Sequence, residues 1–464
     1  MASAPSLPPA PHTAPPRHWS EKAPNRSLDH IPGADGLPVI GTTLAVLSDP
    51  PAFANRMLER YGRIYKVNSF GYYTVAMIGP EANELVLFDR DKLFSSEQGW
   101  GPVLDRLFPH SLMLMDFDAH RADRKALSVA FKPAPMKHYA GSLDRGIAER
   151  VQQWRGRTVR FYDEIKQLSL DLAADSFLGL PLGEEADAIN RAFVDTVQAS
   201  VAPIRRPLPF TQMGRGVKGR NFLVEWFAKE TERRRADGGG QDLFSQFARA
   251  EREDGELLSV QEVVDHMIFL MMAAHDTITS SATTLVWKLA QHPEWQEKLR
   301  AEALAATGGP GRPLAYDALG DLELTEMAFK EALRFMPPVP SIPRRALRDF
   351  EFGGFTIPAG TQVSVSPGAT HYLPEIWPDP ESFDPMRFTP DKVKARHKYA
   401  WIPFGGGAHM CLGLHFAYMQ VKILAAHLLA ECEIAPVEPD YEVDWQFWPI
   451  PKPKDGLPVR LGEL

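Results

Sequence analysis

The stretch Phe404-Gly405-Gly406-Gly407-Ala408-His409-Met410-Cys411-Leu412-Gly413 restricts this chain more than any other. Three consecutive glycines permit backbone conformations and close approaches that a Cβ would forbid. An apolar helix follows directly. Cys411 therefore sits at the positive end of that helix, among amide N–H groups free to point at its sulfur, and both effects favour a thiolate. Cys432, the only other cysteine, lies in an apolar helical stretch and reads as a small core residue. Two cysteines make no disulfide framework, which fits a reducing compartment.

A thiolate in such a loop can serve as the axial ligand of a haem iron. Phe404 can shield the sulfur from water, and His409 can reach a haem propionate. The spacing Phe-x-x-Gly-x-x-x-Cys-x-Gly is met at every fixed position, and in this the loop resembles the haem-binding signature of the cytochrome P450 superfamily. The resemblance implies haem b, with Cys411 as the metal ligand and Phe404, Gly405, His409 and Gly413 around it. It also implies a mainly α (α+β) fold, a helical body with small peripheral β-sheets.

The chain has 464 residues, 44% of them hydrophobic and 24% charged. That length suggests about three domains, but no linker interrupts the body, so one domain over 33–464 is expected. Residues 1–32, rich in Pro, Ala and Ser, read as a disordered leader. A formal net charge of -8 argues against a general nucleic-acid binder. No apolar stretch approaches the roughly 20 residues of a membrane span; the longest, Met267 to Ala274, is too short. Membrane-bound members of the resembled family carry an N-terminal anchor, and none is read here, so a cytoplasmic protein is expected.

Along the chain, a helix is expected to end near Tyr61-Gly62, followed by a β-hairpin over 64–78 with its turn at Phe70-Gly71. A helical segment runs over 80–87, and helical periodicity dominates from about 119 to 335. A second β region follows Arg345. It contains Phe350-Glu351-Phe352, a Gly353-Gly354 turn, Phe355-Thr356-Ile357 and a strand over 361–365.

The segment from Ser259 to His292 has few helix breakers and contains Ala273-Ala274-His275-Asp276-Thr277. The resembled family carries an acid–alcohol pair on the helix crossing the distal haem face. O₂ activation consumes protons, so Thr277 would hold oxygen or a water and Asp276 would relay protons from solvent. A mid-helix Thr can also bond the carbonyl four residues back, here Ala273, and bend the helix. Ala274 would contact the cofactor. Glu331 and Arg334 lie one turn apart on one helix face. The resemblance makes Arg387 their third partner in a structural support for the haem site. It also assigns His120, Arg124 and Arg344 to the propionates, beside His409, although Arg345 adjoins Arg344.

Segments that the family uses as a substrate pocket are apolar: Leu107, Phe108, Leu112 and Leu114, then Leu270 and Met271, Val339 and Ile342, and Phe447 and Trp448. A hydrophobic substrate is expected, a steroid, terpenoid or fatty acid. Arg205 and Arg206 fit either a substrate carboxylate or a solvated loop. Gly214-Arg215-Gly216-Val217-Lys218-Gly219 matches G-x-G-x-x-G, but it follows a proline-rich loop and not a strand, so no dinucleotide site is expected. No flavin or ferredoxin module fits in the rest of the chain. Electrons would come from a separate ferredoxin or flavodoxin, for which Lys125, Lys132, Lys137, Lys392, Lys394, Arg396 and Lys398 offer docking charge. Two rivals stand beside a monooxygenase: a peroxide-driven hydroxylase of the same fold, and a haem-based ligand sensor or electron carrier. Asp276-Thr277 speaks against the first, since such enzymes in this family typically lack the pair. The second needs neither a proton relay nor a large apolar pocket.

Overall fold

The computed structural model describes residues 27–202 and 204–464. Most of the expected leader lies outside them; at its end, Ile31 is buried and Gly33–Ala34 pairs in parallel with Ile64–Ser69.

The helix Val260–Gln291 organises the molecule. It has no Gly or Pro over 32 residues. A capping box starts it: the Ser259 hydroxyl accepts from the Glu262 N–H, and the Glu262 carboxylate accepts from the Ser259 N–H. It stops at His292, whose backbone is pushed out of the helical region by the following Pro293. Its buried hydroxyls bond carbonyls one turn back: Thr279 to His275, Thr283 to Thr279 and Thr284 to Ser280. These hydroxyls can therefore lie in the core without being left unpaired. Against it pack Phe161–Ser176, Gln212–Ala236, Glu323–Phe335 and Leu414–Glu431, and Pro133–Trp154 packs in turn on Phe161–Ser176 and Leu414–Glu431.

A six-stranded sheet flanks this body, in the order Gly33–Ala34, Ile64–Ser69, Tyr72–Met77, Gln362–Val365, Ile342–Ala346, Phe94–Ser95. The expected hairpin is present, and Phe70 and Gly71 both have positive φ at its turn, as a tight two-residue connection requires. The sheet has its own core, including Val75, Met77, Val363 and Val365, apart from the large helical one. The mainly α fold with small sheets is borne out.

Two details differ from expectation. The helical span 119–335 is interrupted by a strand, Arg157–Arg160, paired with Pro458–Glu463 near the C-terminus. That pairing is non-local, and no local pattern announces it. The second β region begins earlier, at Ile342, before Arg345. The G-x-G-x-x-G run lies within the helix Gln212–Ala236. There a Cβ on Gly216 would meet the Ala199 Cβ at 2.1 Å, and one on Gly219 would meet the Ala192 carbonyl at 2.4 Å. The glycines let this helix lie against Glu184–Ala199.

Candidate active site

The cysteine loop is held by its own backbone. The Cys411 N–H donates to the Phe404 carbonyl at 2.9 Å, and the Gly405 N–H to the Ile402 carbonyl at 3.0 Å. Gly407 has φ +62°, and a Cβ there would lie 1.8 Å from the Leu87 carbonyl oxygen, so no other residue fits. The Phe404 ring is pinned between Trp401 and Tyr418. Gly413 precedes the helix Leu414–Glu431 and directs its N–H at the Cys411 sulfur.

Cys411 keeps accessible surface. Burial nonetheless pushes its thiol above the usual value, more than the Gly413 N–H and Arg124 pull it down. Both hold together because protein packs closely around the residue although part of its surface is accessible. The chain's own donors do not outweigh desolvation, and a thiolate there calls for a cation.

A second group of residues converges near this sulfur. The His120 ring lies 3.9 Å from the His409 ring. Arg124 stands one turn beyond His120 and is close enough to Cys411 for mutual attraction. Arg344, on the strand Ile342–Ala346, is 4% exposed. Burial, then Arg344, His120 and Arg124, push the His409 pKa down to about 2. Burial, then Arg124 and Arg344, push His120 to about 4, against the pull of Asp123. Burial lowers Arg344 to about 10 despite Asp116 and Asp89.

Those carboxylates are committed elsewhere. Asp89 accepts from the Leu93 and Phe94 N–H groups at 2.6 and 3.2 Å, and Asp116 from the Ser96 N–H at 2.7 Å. Asp123 is held by His266 at 3.1 Å and Arg252 at 2.8 Å. Among the described residues neither Arg124 nor Arg344 makes an ion pair; Arg344 donates only to the Pro343 carbonyl, at 2.8 Å. Buried His120 and Arg344, with half-buried Arg124 and His409, thus bring together two guanidinium and two imidazole groups with no carboxylate paired to either arginine among the described residues, and the donor set fits the two propionates of a haem. Arg345 turns to the opposite face of its strand and donates to the Gly360 carbonyl at 3.0 Å.

Glu331, Arg334 and Arg387 meet in a different way. Arg334 and Glu331 are both 0% exposed and form a bidentate pair at 2.8 and 2.9 Å. Arg387 approaches the same carboxylate at 3.4 Å, and the Asp384 N–H donates to it at 3.0 Å. Arg334 also donates to the His371 carbonyl at 3.1 Å, while the His371 Nε2 accepts from the Ile402 N–H at 3.1 Å. The Trp401 indole donates to the Lys330 carbonyl at 3.2 Å. The helix Glu323–Phe335 is thereby tied to the segment entering the cysteine loop.

On the central helix, the Thr277 hydroxyl donates to the Ala273 carbonyl at 2.6 Å. The Asp276 carboxylate accepts no hydrogen bond among the described residues. Burial raises its pKa, and Lys166 and Lys452 act in the opposite sense from a distance. Of the expected pocket residues, Leu107, Phe108, Leu112, Leu114, Leu270 and Met271 join the large helical core. The Phe108 ring meets Phe269, 6.4 Å away, edge-on. Val339 and Ile342 belong to the sheet's core, and Phe447 is half-buried in neither. Ala274 and Met271 line one small interhelical cavity.

Several charged residues take other roles than those open to them in the sequence. Arg205 donates to the Pro102 and Val103 carbonyls at 3.4 and 3.3 Å, latching its loop to the segment before Leu107. Lys125 pairs with Glu253, Lys137 with Asp317 and Lys392 with Asp384. Arg396 stacks on Trp377 at 3.8 Å. Lys132, Lys394 and Lys398 stay exposed with no ion pair among the described residues.

This fold and this cysteine site define a haem-thiolate class, and the comparisons agree. The cytochrome P450 family model matches residues 31–454, and the chain belongs to that family, whose members are monooxygenases that carry haem and take electrons from redox partners. It is 36% identical to a protein named putative cytochrome P450 136 from Mycobacterium tuberculosis, over 96% of this chain and 91% of that one. It is 28% identical to a taxane 10-beta-hydroxylase from Taxus cuspidata, over 93% of this chain and 89% of that one. The solved structure of a retinoic acid bound cyanobacterial CYP120A1 superposes with a TM-score of 0.85 at 29% identity, covering 94% of this chain and 99% of that one. Among the described residues no helix is long and apolar enough to cross a membrane.

Proposed function

We propose that this protein hydroxylates a hydrophobic terpenoid, with Cys411 as the axial ligand of haem b. The observation that carries this reading is the cluster of His120, Arg124, Arg344 and His409, in which neither arginine makes an ion pair among the described residues, beside Cys411. Bound haem would supply activation of O₂ by two electrons and insertion of one oxygen atom into a substrate C–H bond. The four cationic or donor groups would hold the propionates. Phe404 and Gly413 keep water from the sulfur and hydrogen-bond it. Glu331, Arg334 and Arg387 keep the loop in place. Thr277 positions a water or oxygen by giving up its bond to Ala273, and Asp276 passes it protons.

Apolar Phe108, Leu114, Leu270, Met271, Val339, Ile342 and Phe447 would surround the substrate. Of the three hydrophobic classes expected, terpenoids are favoured by the relatives named for taxane and retinoic acid, both cyclic isoprenoid compounds. Electrons would come from a ferredoxin or flavodoxin docking at Lys132, Lys394 and Lys398, the expected contacts left unpaired. The two free cysteines favour the cytoplasm.

The absorption spectrum of the reduced, CO-bound protein tests the ligand. A Soret band at the long wavelength characteristic of thiolate ligation is expected; one at the imidazole position would overturn it. Terpenoids should then induce the spin-state shift that follows displacement of water, ahead of fatty acids and steroids. Thr277→Ala should leave NADH oxidation running while product falls and peroxide rises. Unchanged product formation would remove Thr277 and Asp276 from the mechanism.

A further inference from the structure

Among the described residues the acid of this site has an ion-pair-range neighbour on its own helix, His275. His275 is 4% exposed, so it is a core residue and not part of a solvated face. Its Nδ1 lies 3.3 Å from the Ser169 hydroxyl, on the helix Phe161–Ser176. Its ring packs edge-on against Phe193 at 5.9 Å. Its Nε2 has no hydrogen-bond partner and stands 3.8 Å from the Asp276 carboxylate. A buried ring nitrogen without a partner is costly unless another state or a water satisfies it.

A small cavity adjoins the ring, lined by Ser169, Ser176, His275 and Gln420 among apolar side chains. Its volume, about 20 Å³, is that of one water site. Burial holds His275 neutral, with its pKa down to about 3, so only one of its nitrogens carries a proton at any working pH. If Ser169 donates to Nδ1, the proton sits on Nε2 and faces a carboxylate that otherwise accepts nothing.

We propose that His275 is a positioning residue for Asp276: anchored by Ser169, its Nε2–H holds the carboxylate in place, directly or through one water, and strengthens it as an acid. This rests on the reading of Asp276 as the proton relay. The other ionisable groups facing Asp276 are Lys166 and Tyr162 on the neighbouring helix and Lys452 on the strand Lys452–Pro453. The lysines stabilise the charged carboxylate from beyond ion-pair distance, as does an Nε2–H. Burial opposes both.

The test follows the Asp276 carboxyl stretch by infrared pH titration of the haem-loaded protein, with the band assigned by its loss in Asp276→Asn. His275→Phe keeps a ring against Phe193 but removes the donor; the Asp276 midpoint should rise by about one pH unit. The low-pH limb of coupled product formation should move up with it. His275→Gln, whose amide can place an N–H near the Nε2 position, should restore both, while His275→Asn should not. Ser169→Ala, which frees the tautomer, should give a smaller shift in the same direction. If Phe, Gln and Asn variants all titrate as wild type, or all shift alike while their melting temperatures fall together, His275 is a packing residue and the proposal fails. The relay reading is judged separately, by whether Asp276→Asn lowers coupling in the otherwise wild-type protein.

Discussion

Two buried clusters of cationic side chains lie close to the cysteine loop, and they are built on opposite rules. Around Glu331 every charge is answered. The carboxylate takes two nitrogens of Arg334, approaches Arg387 and accepts a backbone N–H, and the remaining guanidinium donors go to carbonyls. Around His409 no arginine has an ion-pair partner among the described residues. Asp89, Asp116 and Asp123 attract Arg344 and His120 only from a distance, because their oxygens are spent on other partners. Burying a charge without an anion is expensive, so the second cluster would gain from a bound anion that the first does not need. A self-satisfied network is scaffold; a deficient one is a receptor.

The largest effect should come from the satisfied cluster. Glu331→Gln leaves Arg334 and Arg387 buried without a carboxylate, and should destabilise the fold by about 3–5 kcal/mol. Urea unfolding with and without haem should show the same loss, and an unchanged midpoint would break the distinction between the clusters. Arg344→Leu should behave in the opposite way. Without haem the protein should be as stable as wild type or more so, because an unpaired buried charge has gone. Haem transfer to a scavenger protein should reveal affinity weakened by about 10- to 100-fold, the worth of a charge-assisted contact. Equal destabilisation with and without haem would mean that Arg344 is scaffold too.

The smallest effect is in pH. An unfolded histidine takes up a proton near its ordinary 6.5, whereas folded His120 does so only near about 4. The unfolded state therefore binds more protons in between, and stability without haem should fall as pH drops from about 6.5 towards 4. Above that window His120 is neutral in both states and contributes no slope. His120→Phe should flatten the decline. Bound propionates would raise the folded value and narrow the window, so the haem-loaded protein should show a shallower slope.

Much of this site was legible because its residues are local. The spacing of Phe404 to Gly413, the Asp276-Thr277 pair and the i,i+3 relation of Glu331 and Arg334 each need only one loop or one helix turn. The capped central helix could be bounded to within a residue, because Ser259, Glu262 and Pro293 act on the backbone beside them. The hairpin turn at Phe70-Gly71 was readable for the same reason. The strand Arg157–Arg160 was not, since its partner lies some three hundred residues away in the chain. The G-x-G-x-x-G run lies within a helix, and the reason for its glycines, contact with Ala192 and Ala199, is a packing fact that no local pattern carries. Arg205, open between a substrate contact and a solvated loop, turns instead to main-chain carbonyls.

What the sequence determined alone was the chemistry on offer: a thiol at a helix start, an acid beside an alcohol and a mostly helical body around them. These follow from backbone preferences and side-chain types within a few residues of each other. Only the tertiary structure decided which charges are paired. It put Arg344 and Arg345 on opposite faces of one strand, stacked Arg396 on Trp377, paired three of the surface lysines with carboxylates, and set His275 between Ser169 and Asp276. Whether a buried charge has a partner depends on distances between elements remote in the chain.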